Sequence, residues 1–275
     1  MKVKFWGVRG SVPTPWKEAM QVGGNTSCVQ IIPRSQELII LDAGTGLRLL
    51  GDQLQQSGGK AIRGHILLSH THWDHIQGFP FFMPAYLPGN HFTIYGANWA
   101  QKNLKNILSG QMRAPYFPVE LSQMGAQLDF TELAEETFTI QDLSITTRSF
   151  NHPGGVYGFR IEQEGQVLVF ATDMEYTEDN LDPRLIDFAK GADMLIFDAQ
   201  YTPEEHRVKM GWGHSTHIAA AHLARLAGVR SLMLYHHDPS HSDQTLLQME
   251  AEARQLFAAS QLATEGLEID LSSLP

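Results

Sequence analysis

Four potential metal ligands lie within six positions of this chain, in Ser69-His70-Thr71-His72-Trp73-Asp74-His75. The largely apolar run at 65–68 precedes them and predicts a buried strand, so the ligands follow where the strand ends. Side chains at alternate positions of an extended segment share a face, and His70 and His72 can therefore bind one ion. Asp74 and His75 lie where the chain turns, and can face a second position. Imidazole and carboxylate ligands together suit zinc, and also iron or manganese.

This H-x-H-x-D-H loop resembles the signature of the metallo-β-lactamase superfamily. The remaining ligands of that family are a His, an Asp and a His in this order, and the chain has matching residues at His152, Asp173 and His236. The resemblance therefore extends over nearly the whole chain. It implies an α+β fold, the αββα sandwich, in which two mixed sheets pack face to face between helices with the metals at one edge.

The resemblance also implies a site for two divalent metal ions. The first ion would be bound by His70, His72 and His152, and the second by Asp74, His75 and His236. Asp173 would bind both ions. Asp74 would in addition be catalytic, accepting a proton from the attacking water. His237 follows His236 directly and leaves open which of the two is the ligand. Zinc is the expected metal, with manganese or iron as alternatives, because these donors tolerate several metals.

Length and composition favour one domain over residues 1–275, because ligands spread from 70 to 236 must meet and 43% of the residues are hydrophobic. No apolar stretch approaches the roughly 18 residues that span a membrane. The N-terminal segment lacks the apolar region of a signal peptide. We therefore expect a cytoplasmic protein without a membrane partner. The single cysteine, Cys28, lies in an alternating run and is predicted to be a small buried residue rather than a ligand.

The formal charge of −10, from 30 acidic and 20 basic residues, does not favour long nucleic acid as a partner. Polyanionic nucleic acid is bound through many contacts between its phosphates and Lys or Arg side chains. A metal pair can itself provide the positive charge that a small phosphate ligand needs. The charge balance therefore favours a small substrate.

The run Gly211-Trp212-Gly213-His214-Ser215-Thr216 resembles the Gly-His-Ser-Thr element of the ribonuclease Z-like phosphodiesterase branch. This resemblance implies that His214 is catalytic and helps to stabilise or protonate the phosphoryl group; the alternative is a residue that merely precedes a helix cap. Members that process tRNA carry a long arm between the third His and the bridging Asp, whereas only 20 residues separate His152 from Asp173. We therefore predict hydrolysis of a small or cyclic phosphodiester by a metal-bridging hydroxide, and poor activity on precursor tRNA.

Two other functions remain open. The same ligand set serves hydrolases of lactones or thioesters. A catalytically silent, metal-binding regulatory protein is the second alternative, although the full ligand set and His214 speak against it. A homodimer also remains open, because dimers are common among the relatives that the resemblance indicates.

Hydrophobic periodicity predicts strands and helices in both halves of the chain. Strands are predicted at 2–7, 26–32, 36–42, 92–95, 126–131, 137–140, 143–149, 156–161, 166–172, 194–197, 231–235 and 267–271, and helices at 47–56, 99–108, 181–189, 216–227 and 242–259. The resemblance implies that Asp42, at the end of the third strand, braces the metal loop without touching metal. The glycine-containing loops at 7–13 and 23–26 either wrap a ligand or only connect strands. The segments at 80–88 and 112–117 are predicted to be irregular and close to the site.

Overall fold

Two seven-stranded sheets dominate the computed structural model, which describes residues 1–35, 37–56, 61–97 and 103–274. The strands are β1 (Lys2–Gly7), β2 (Cys28–Ile32), β3 (Leu38–Leu41), β4 (Arg63–Leu67), β5 (His91–Ala97), β6 (Gln127–Leu133), β7 (Thr137–Ile140), β8 (Leu143–Phe150), β9 (Val156–Gln163), β10 (Gln166–Ala171), β11 (Met194–Asp198), β12 (Ser231–Tyr235), β13 (Ser260–Leu262) and β14 (Glu268–Asp270). The helices are α1 (Gly46–Gln56), α2 (Trp73–Ile76), α3 (Leu104–Gln111), α4 (Pro183–Ala189), α5 (Pro203–Val208), α6 (His217–Ala227) and α7 (Asp243–Leu256).

Both sheets are mixed and have a similar plan. The strand order is β14-β1-β2-β3-β4-β5-β6 in the first sheet and β13-β12-β11-β10-β9-β8-β7 in the second. In the first sheet, β3 to β6 run parallel to one another; in the second, β10 to β13 do. The carboxyl ends of parallel strands meet at one edge of a sheet, and ligands commonly bind there. The metal loop follows β4 at such an edge.

The alternation of side chains along β3 shows how the layers pack. Ile39 and Leu41 belong to a hydrophobic cluster shared with the second sheet, whereas Leu38 and Ile40 face the other way and pack in a cluster with α1 and α3. Successive side chains of a strand point to opposite faces, so a fully apolar strand indicates burial on both sides. Helices α4, α6 and α7 join the cluster that includes the second sheet. The predicted α+β sandwich is confirmed.

The predicted strands and helices agree well with the observed ones, with a few exceptions. Helix α5 and strand β13 were not predicted, and the segment at 80–88 overlaps two short 3-10 helices, Phe79–Phe81 and Met83–Tyr86. Of the helix predicted at 99–108, residues 99–102 lie outside the described residues, and α3 occupies Leu104–Gln111. Cys28 is fully buried, as predicted. Within the described ranges, no helix has the length and apolarity that crossing a membrane requires. The single domain over residues 1–275 stays a prediction, supported by the shared core.

Arg9, in the first glycine-containing loop, has no exposed surface. Its Nε donates to the Gly23 carbonyl at 2.8 Å, and its Nη1 donates to the carbonyls of Asp238 and His241 at 3.1 and 2.8 Å. The Asp243 carboxylate lies 3.9 Å from Nη2. One buried guanidinium therefore joins both glycine-containing loops to the segment that follows β12.

Replacing Arg9 by methionine should lower the free energy of unfolding by at least about 3 kcal/mol, because several buried carbonyls lose their donor at once. Urea unfolding of the metal-free protein measures the effect without interference from bound ions. Arg207→Met is the matched control, since the Arg207 side chain is 71% exposed. A loss no larger than that of the control would contradict the structural role of Arg9.

Candidate metal centre

Each candidate ligand follows the end of a strand. The loop with His70 and His72 follows β4, His152 follows β8, Asp173 follows β10, and His236 follows β12. Asp173 and His236 have positive φ angles of 55° and 60°, as does Asp42, at 60°, directly after β3. This backbone conformation turns the chain off the sheet edge within one residue. The site thus draws side chains from both sheets into one place.

The donors form two adjacent groups. His70, His72 and His152 have ligand atoms within 4.8 Å of one another, and so do Asp74, His75, Asp173 and His236. These groups match the two predicted ligand sets, with Asp173 in the second. The Asp173 Oδ2 lies 3.7 Å from His70 Nε2, so its carboxylate also faces the first group. Metal coordination by these seven residues stays a prediction that this geometry supports.

Hydrogen bonds fix the orientation of four imidazoles. The Nδ1 atoms of His75, His152 and His236 donate to Asp42 Oδ2, the Gly213 carbonyl and Gln200 Oε1 at 2.7, 2.9 and 2.9 Å. Ser69 Oγ donates to Asp42 and accepts from His70 Nδ1 at 3.1 Å. In the neutral form of each ring, the Nε2 atom then carries a lone pair that faces the site. Fixing ring orientation through the second nitrogen is typical of metal-binding histidines.

Two observations test whether a metal ion fits these residues. The buried Nε2 of His70 has no hydrogen-bond partner. The Nε2 atoms of His75 and His236 lie only 3.2 Å apart, although in their neutral forms both rings use their protons elsewhere. Facing lone pairs repel each other unless a proton or a metal ion lies between or beside them, and a buried unpaired nitrogen is costly. The residues therefore fit divalent ions.

Electrostatics indicate the same need for positive charge. Burial raises the pKa of Asp74 and of Asp173, but His75 and His236 outweigh burial and hold both pKa values well below the ordinary value. Burial lowers the pKa of His75, yet the nearby aspartates reverse this and place its pKa well above 6.5. Burial lowers the pKa of His70, the first-group histidine. Without metal, His75 therefore holds a proton on the nitrogen that faces the site, and a metal ion there would take the place of that proton.

Asp42 braces the metal loop, as the resemblance implied. Its Oδ1 accepts from Ser69 N at 2.7 Å, and its Oδ2 accepts from Ser69 Oγ, Ser27 Oγ and His75 Nδ1. The carboxylate is fully buried and is absent from the three groups whose ligand atoms could hold a metal. Asp42 therefore fixes the loop backbone and the ring of His75 together.

Replacing Asp42 by asparagine keeps the size of the side chain but removes one of two acceptor oxygens. We expect the affinity of the second metal ion to fall about ten- to a hundredfold, the usual cost of losing such a support. Competition with a coloured chelator measures the affinity of each ion. An affinity within twofold of the wild type would show that Asp42 does not orient His75.

His214 lies beside both donor groups and is held by Asp198. Its Nδ1 donates to Asp198 Oδ2 at 2.8 Å and lies 3.8 Å from Asp173 Oδ2, and its ring stacks on that of His236 at 5.0 Å. Burial lowers the pKa of His214, but Asp198 outweighs it and raises that pKa to about 9. Ligand atoms of Asp173, Asp198, His214 and His236 also lie within 4.8 Å of one another.

Asp198 follows the strand predicted at 194–197 and was not among the predicted site residues, and the structure gives it a positioning role. Besides His214, it accepts from the backbone N–H groups of Asp173, Gln200 and Ser215 at 3.0 to 3.1 Å. These bonds occupy both carboxylate oxygens, so we assign it to orientation rather than coordination. A signal was present in the sequence, because Asp198 ends a buried strand just as Asp173 follows one. Thr216 caps α6, accepting from Ala219 N at 3.0 Å.

The first glycine-containing loop forms a wall of the site. Ser11 N donates to Asp74 Oδ2 at 2.7 Å. A Cβ at Gly10 would lie 2.5 Å from the ring of His236, so only glycine fits there. Gly213, with a φ of +94°, likewise lies against the ring of His152. The first glycine-containing loop therefore packs against candidate metal ligands, and the interpretation that it wraps a bound substrate stays a prediction.

His237 points away from the donors. Its Nε2 donates to the Ala263 carbonyl at 3.0 Å, and burial followed by the charge of Arg9 lowers its pKa to about 3. His236 is the histidine that reaches the candidate ligands.

The segments predicted to be irregular, at 80–88 and 112–117, each contribute both to the core and to the surface near the site. Phe82 and Met112 are buried in the core, whereas Phe81 and Tyr116 line a groove.

Comparison with known proteins decides the family. A sequence model of the beta-lactamase superfamily domain matches residues 38–237, which include all seven candidate ligands and His214. The chain belongs to this superfamily. The predicted membership is confirmed, and so is the prediction of an enzyme of the metal-dependent hydrolase class. Members of this fold use divalent metals, while the identity of the metal here stays a prediction.

Full-length relatives of the superfamily match the chain at low identity. Ribonuclease Z of Pediococcus pentosaceus is 21% identical over an alignment 322 positions long, which covers 98% of this chain and 99% of the relative. The metallo-beta-lactamase fold protein YhfI from Bacillus subtilis has a TM-score of 0.72 at 19% identity, over 98% of each chain. A diphosphatase from the PhnP family has a TM-score of 0.72 at 18% identity, over 98% of this chain and 97% of that one. The two structural likenesses show the fold.

Proposed function

We propose that this chain is a phosphodiesterase that binds two divalent metal ions through the seven assigned residues and hydrolyses a small or cyclic phosphodiester. The observation that carries the proposal is the His214–Asp198 pair, which lies against both donor groups. The ring of His214 is 5.0 Å from that of His236 and 5.6 Å from that of His152. A hydrogen-bond donor thus lies beside both donor groups, and we infer that it reaches an oxygen of the bound phosphodiester.

Two divalent ions at this site would supply an acidic water molecule and neutralise charge on the phosphoryl oxygens. The chain's own residues have complementary roles. Asp74 is ionised and held by Ser11 N, so it is placed to accept a proton from the attacking water. His214 donates its Nδ1 proton to Asp198, which leaves Nε2 for a phosphoryl or leaving-group oxygen. An alkoxide leaving group needs such a donor.

Phosphodiesters are favoured over lactones and thioesters for two reasons. The full-length relative is named Ribonuclease Z, and one structural neighbour is titled a diphosphatase. In addition, a phosphodiester carries a negative charge, which gains from two metal ions and the His214 donor, whereas a lactone or thioester is neutral. The carbon esters are therefore the second candidate, and the complete donor set argues against a catalytically silent protein.

A substrate panel on protein of measured metal content tests the proposal. The panel contains bis(p-nitrophenyl) phosphate, a 2′,3′-cyclic nucleotide, a lactone and a thioester, each at the same enzyme concentration. We expect the two phosphodiesters to give higher kcat/KM than the two carbon esters, and chelation to abolish all turnover. Faster hydrolysis of the lactone or thioester would overturn the assignment of the substrate class.

We further predict that precursor tRNA is a poor substrate, although the relative's name points to RNA. The interval from His152 to Asp173 is filled by the hairpin of β9 and β10, which turns at Glu164 and Gly165. This interval holds no inserted arm, and the formal charge of −10 opposes polyanion binding. A gel assay at physiological salt should show no trailer removal under conditions that turn over small diesters. Efficient, site-specific cleavage would contradict this prediction.

A further inference from the structure

A groove of about 610 Å³ opens beside the metal loop, and the proposed chemistry does not use it. Its wall is formed by the metal loop itself, by α3 and by the two irregular segments after α2 and α3. The aromatic side chains among its lining residues are Trp73, Phe81, Tyr116 and Phe117. Concave sites of this size with aromatic walls typically bind small organic groups.

The aromatic side chains of this groove are unusually exposed. Trp73 is 80% exposed, Tyr116 76% and Phe81 53%. Phe81 contacts Phe117 edge to face, with 5.5 Å between ring centroids. Exposed aromatic surface gathered around one cavity is unfavourable in water and marks an interaction site. These rings offer flat faces on which a planar group can stack.

The groove lies next to the metal loop, although none of the seven candidate ligands is among its lining residues. Of the seven candidate ligands, His72 alone is exposed, so a substrate reaches the site past this residue. The neighbours of His72 on either side, Thr71 and Trp73, both line the groove. A substituent on a phosphorus atom at the metal centre can therefore extend past His72 toward the groove.

The lining of the groove also defines the charge of its ligand. No Asp, Glu, Lys or Arg side chain is among the described residues that line it. A charged group would gain no ion pair there and would lose hydration, whereas a neutral ring would bury apolar surface. The phosphate itself belongs at the metals, and the groove suits the part of the substrate next to it.

We propose that this groove binds a neutral, planar aromatic group of the substrate, an aryl ring or a nucleobase attached to the phosphorus as the substituent that does not leave. The proposal rests on the proposed phosphodiesterase function. Stacking of a base on an aromatic side chain typically strengthens binding about five- to a hundredfold. The enzyme should accordingly prefer diesters with an aromatic second substituent.

Three diesters with the same leaving group test the proposal: methyl, phenyl and thymidine 5′ esters of p-nitrophenyl phosphate. In the wild-type protein, kcat/KM should be about tenfold higher for the phenyl or thymidine ester than for the methyl ester. A higher value for thymidine identifies a nucleobase, and a higher value for phenyl identifies a simple aryl group. Tyr116→Ala should bring the aromatic-to-methyl ratio close to one.

Trp16→Ala is the matched control, because Trp16 is 50% exposed but is not among the groove's lining residues. It should keep the wild-type ratio, and metal content and unfolding curves confirm that each variant is folded. An aromatic-to-methyl ratio near one in the wild type, or a ratio that Tyr116→Ala does not change, would overturn the groove proposal and leave the phosphodiesterase intact.

If the metal-loaded wild type cleaves none of the three diesters, the proposed function fails, and binding tests the groove independently. Calorimetric titration compares phenyl phosphate with methyl phosphate, since both bind metal through the same phosphate. Tighter binding of phenyl phosphate that is lost in Tyr116→Ala supports the groove. Equal affinities for the two phosphates reject it.

Discussion

Replacing Asp173 by alanine is expected to remove both metal ions and abolish hydrolysis. Its Oδ1 lies 3.3 Å from His236 Nε2, and its Oδ2 lies 3.3 Å from His75 Nε2 and 3.7 Å from His70 Nε2. The carboxylate therefore faces donors of both groups. Metal content should fall from about two ions per chain to near zero, and kcat/KM by at least about a thousandfold, since bound metals contribute several kcal/mol to catalysis.

Elemental analysis after gel filtration measures the loss of metal, and circular dichroism checks the fold. Asp179→Ala is the control, because Asp179 is an exposed aspartate elsewhere on the chain. His75→Ala should mainly weaken the second ion, since His75 belongs to the second donor group. Retention of both ions by the Asp173→Ala variant would rule out a bridging role for Asp173.

Replacing His214 by alanine should leave both ions bound yet slow the cleavage of diesters with alkoxide leaving groups by at least about a hundredfold. The expected mechanism is loss of the donor that Asp198 orients toward the phosphoryl group. A p-nitrophenolate leaving group needs little protonation and should suffer less. The dependence of the loss on leaving-group basicity separates this role from a merely structural one.

The measurement is kcat for a series of diesters of increasing leaving-group pKa, in variants of equal metal content. His222→Ala on α6 is the matched control, because His222 is a partly exposed histidine outside the candidate ligands. Near wild-type turnover of an alkoxide-leaving diester by His214→Ala would reduce His214 to a residue that precedes a helix.

The candidate ligands could be predicted because the H-x-H-x-D-H loop and the later His, Asp and His match the ligands of the resembled family in type and order. Asp173 and His236 come directly after predicted strands, and His152 comes three positions after one. The sandwich was also implied by the resemblance, whereas hydrophobic periodicity predicted its individual strands, such as β3, which is apolar on both faces. The resemblance therefore indicated the architecture and the ligand set, and local patterns indicated the elements.

The supporting contacts could not be predicted, because they join residues far apart in sequence. Ser11 reaches Asp74 across 63 positions, and Gln200 reaches His236 across 36. Arg9 could not be recognised as buried, since arginine is usually exposed and only its four carbonyl partners explain its position. The groove depends on side-chain exposure, which sequence patterns do not give.

The unpredicted elements have different causes. Strand β13 has only three residues, too few for a periodic pattern. Helix α5 is also short, but its start was readable: Thr202 and Glu205 form a capping box, with Pro203 in the first turn. Its apolar residues are too few to predict a buried face, so the cap was the only available signal.

The left-handed backbone at Asp173 and His236 favours activity at the expense of stability. Glycine would suit these φ angles best, and a side chain there costs of the order of 1–3 kcal/mol. A library of variants selected only for resistance to heat in the metal-free state should therefore accumulate glycine or asparagine at positions 173 and 236, but keep Asp42, whose buried carboxylate accepts four hydrogen bonds. Such proteins would unfold at higher temperature but would have lost the catalytic activity. Engineering this fold for stability thus requires a selection that includes turnover at every round.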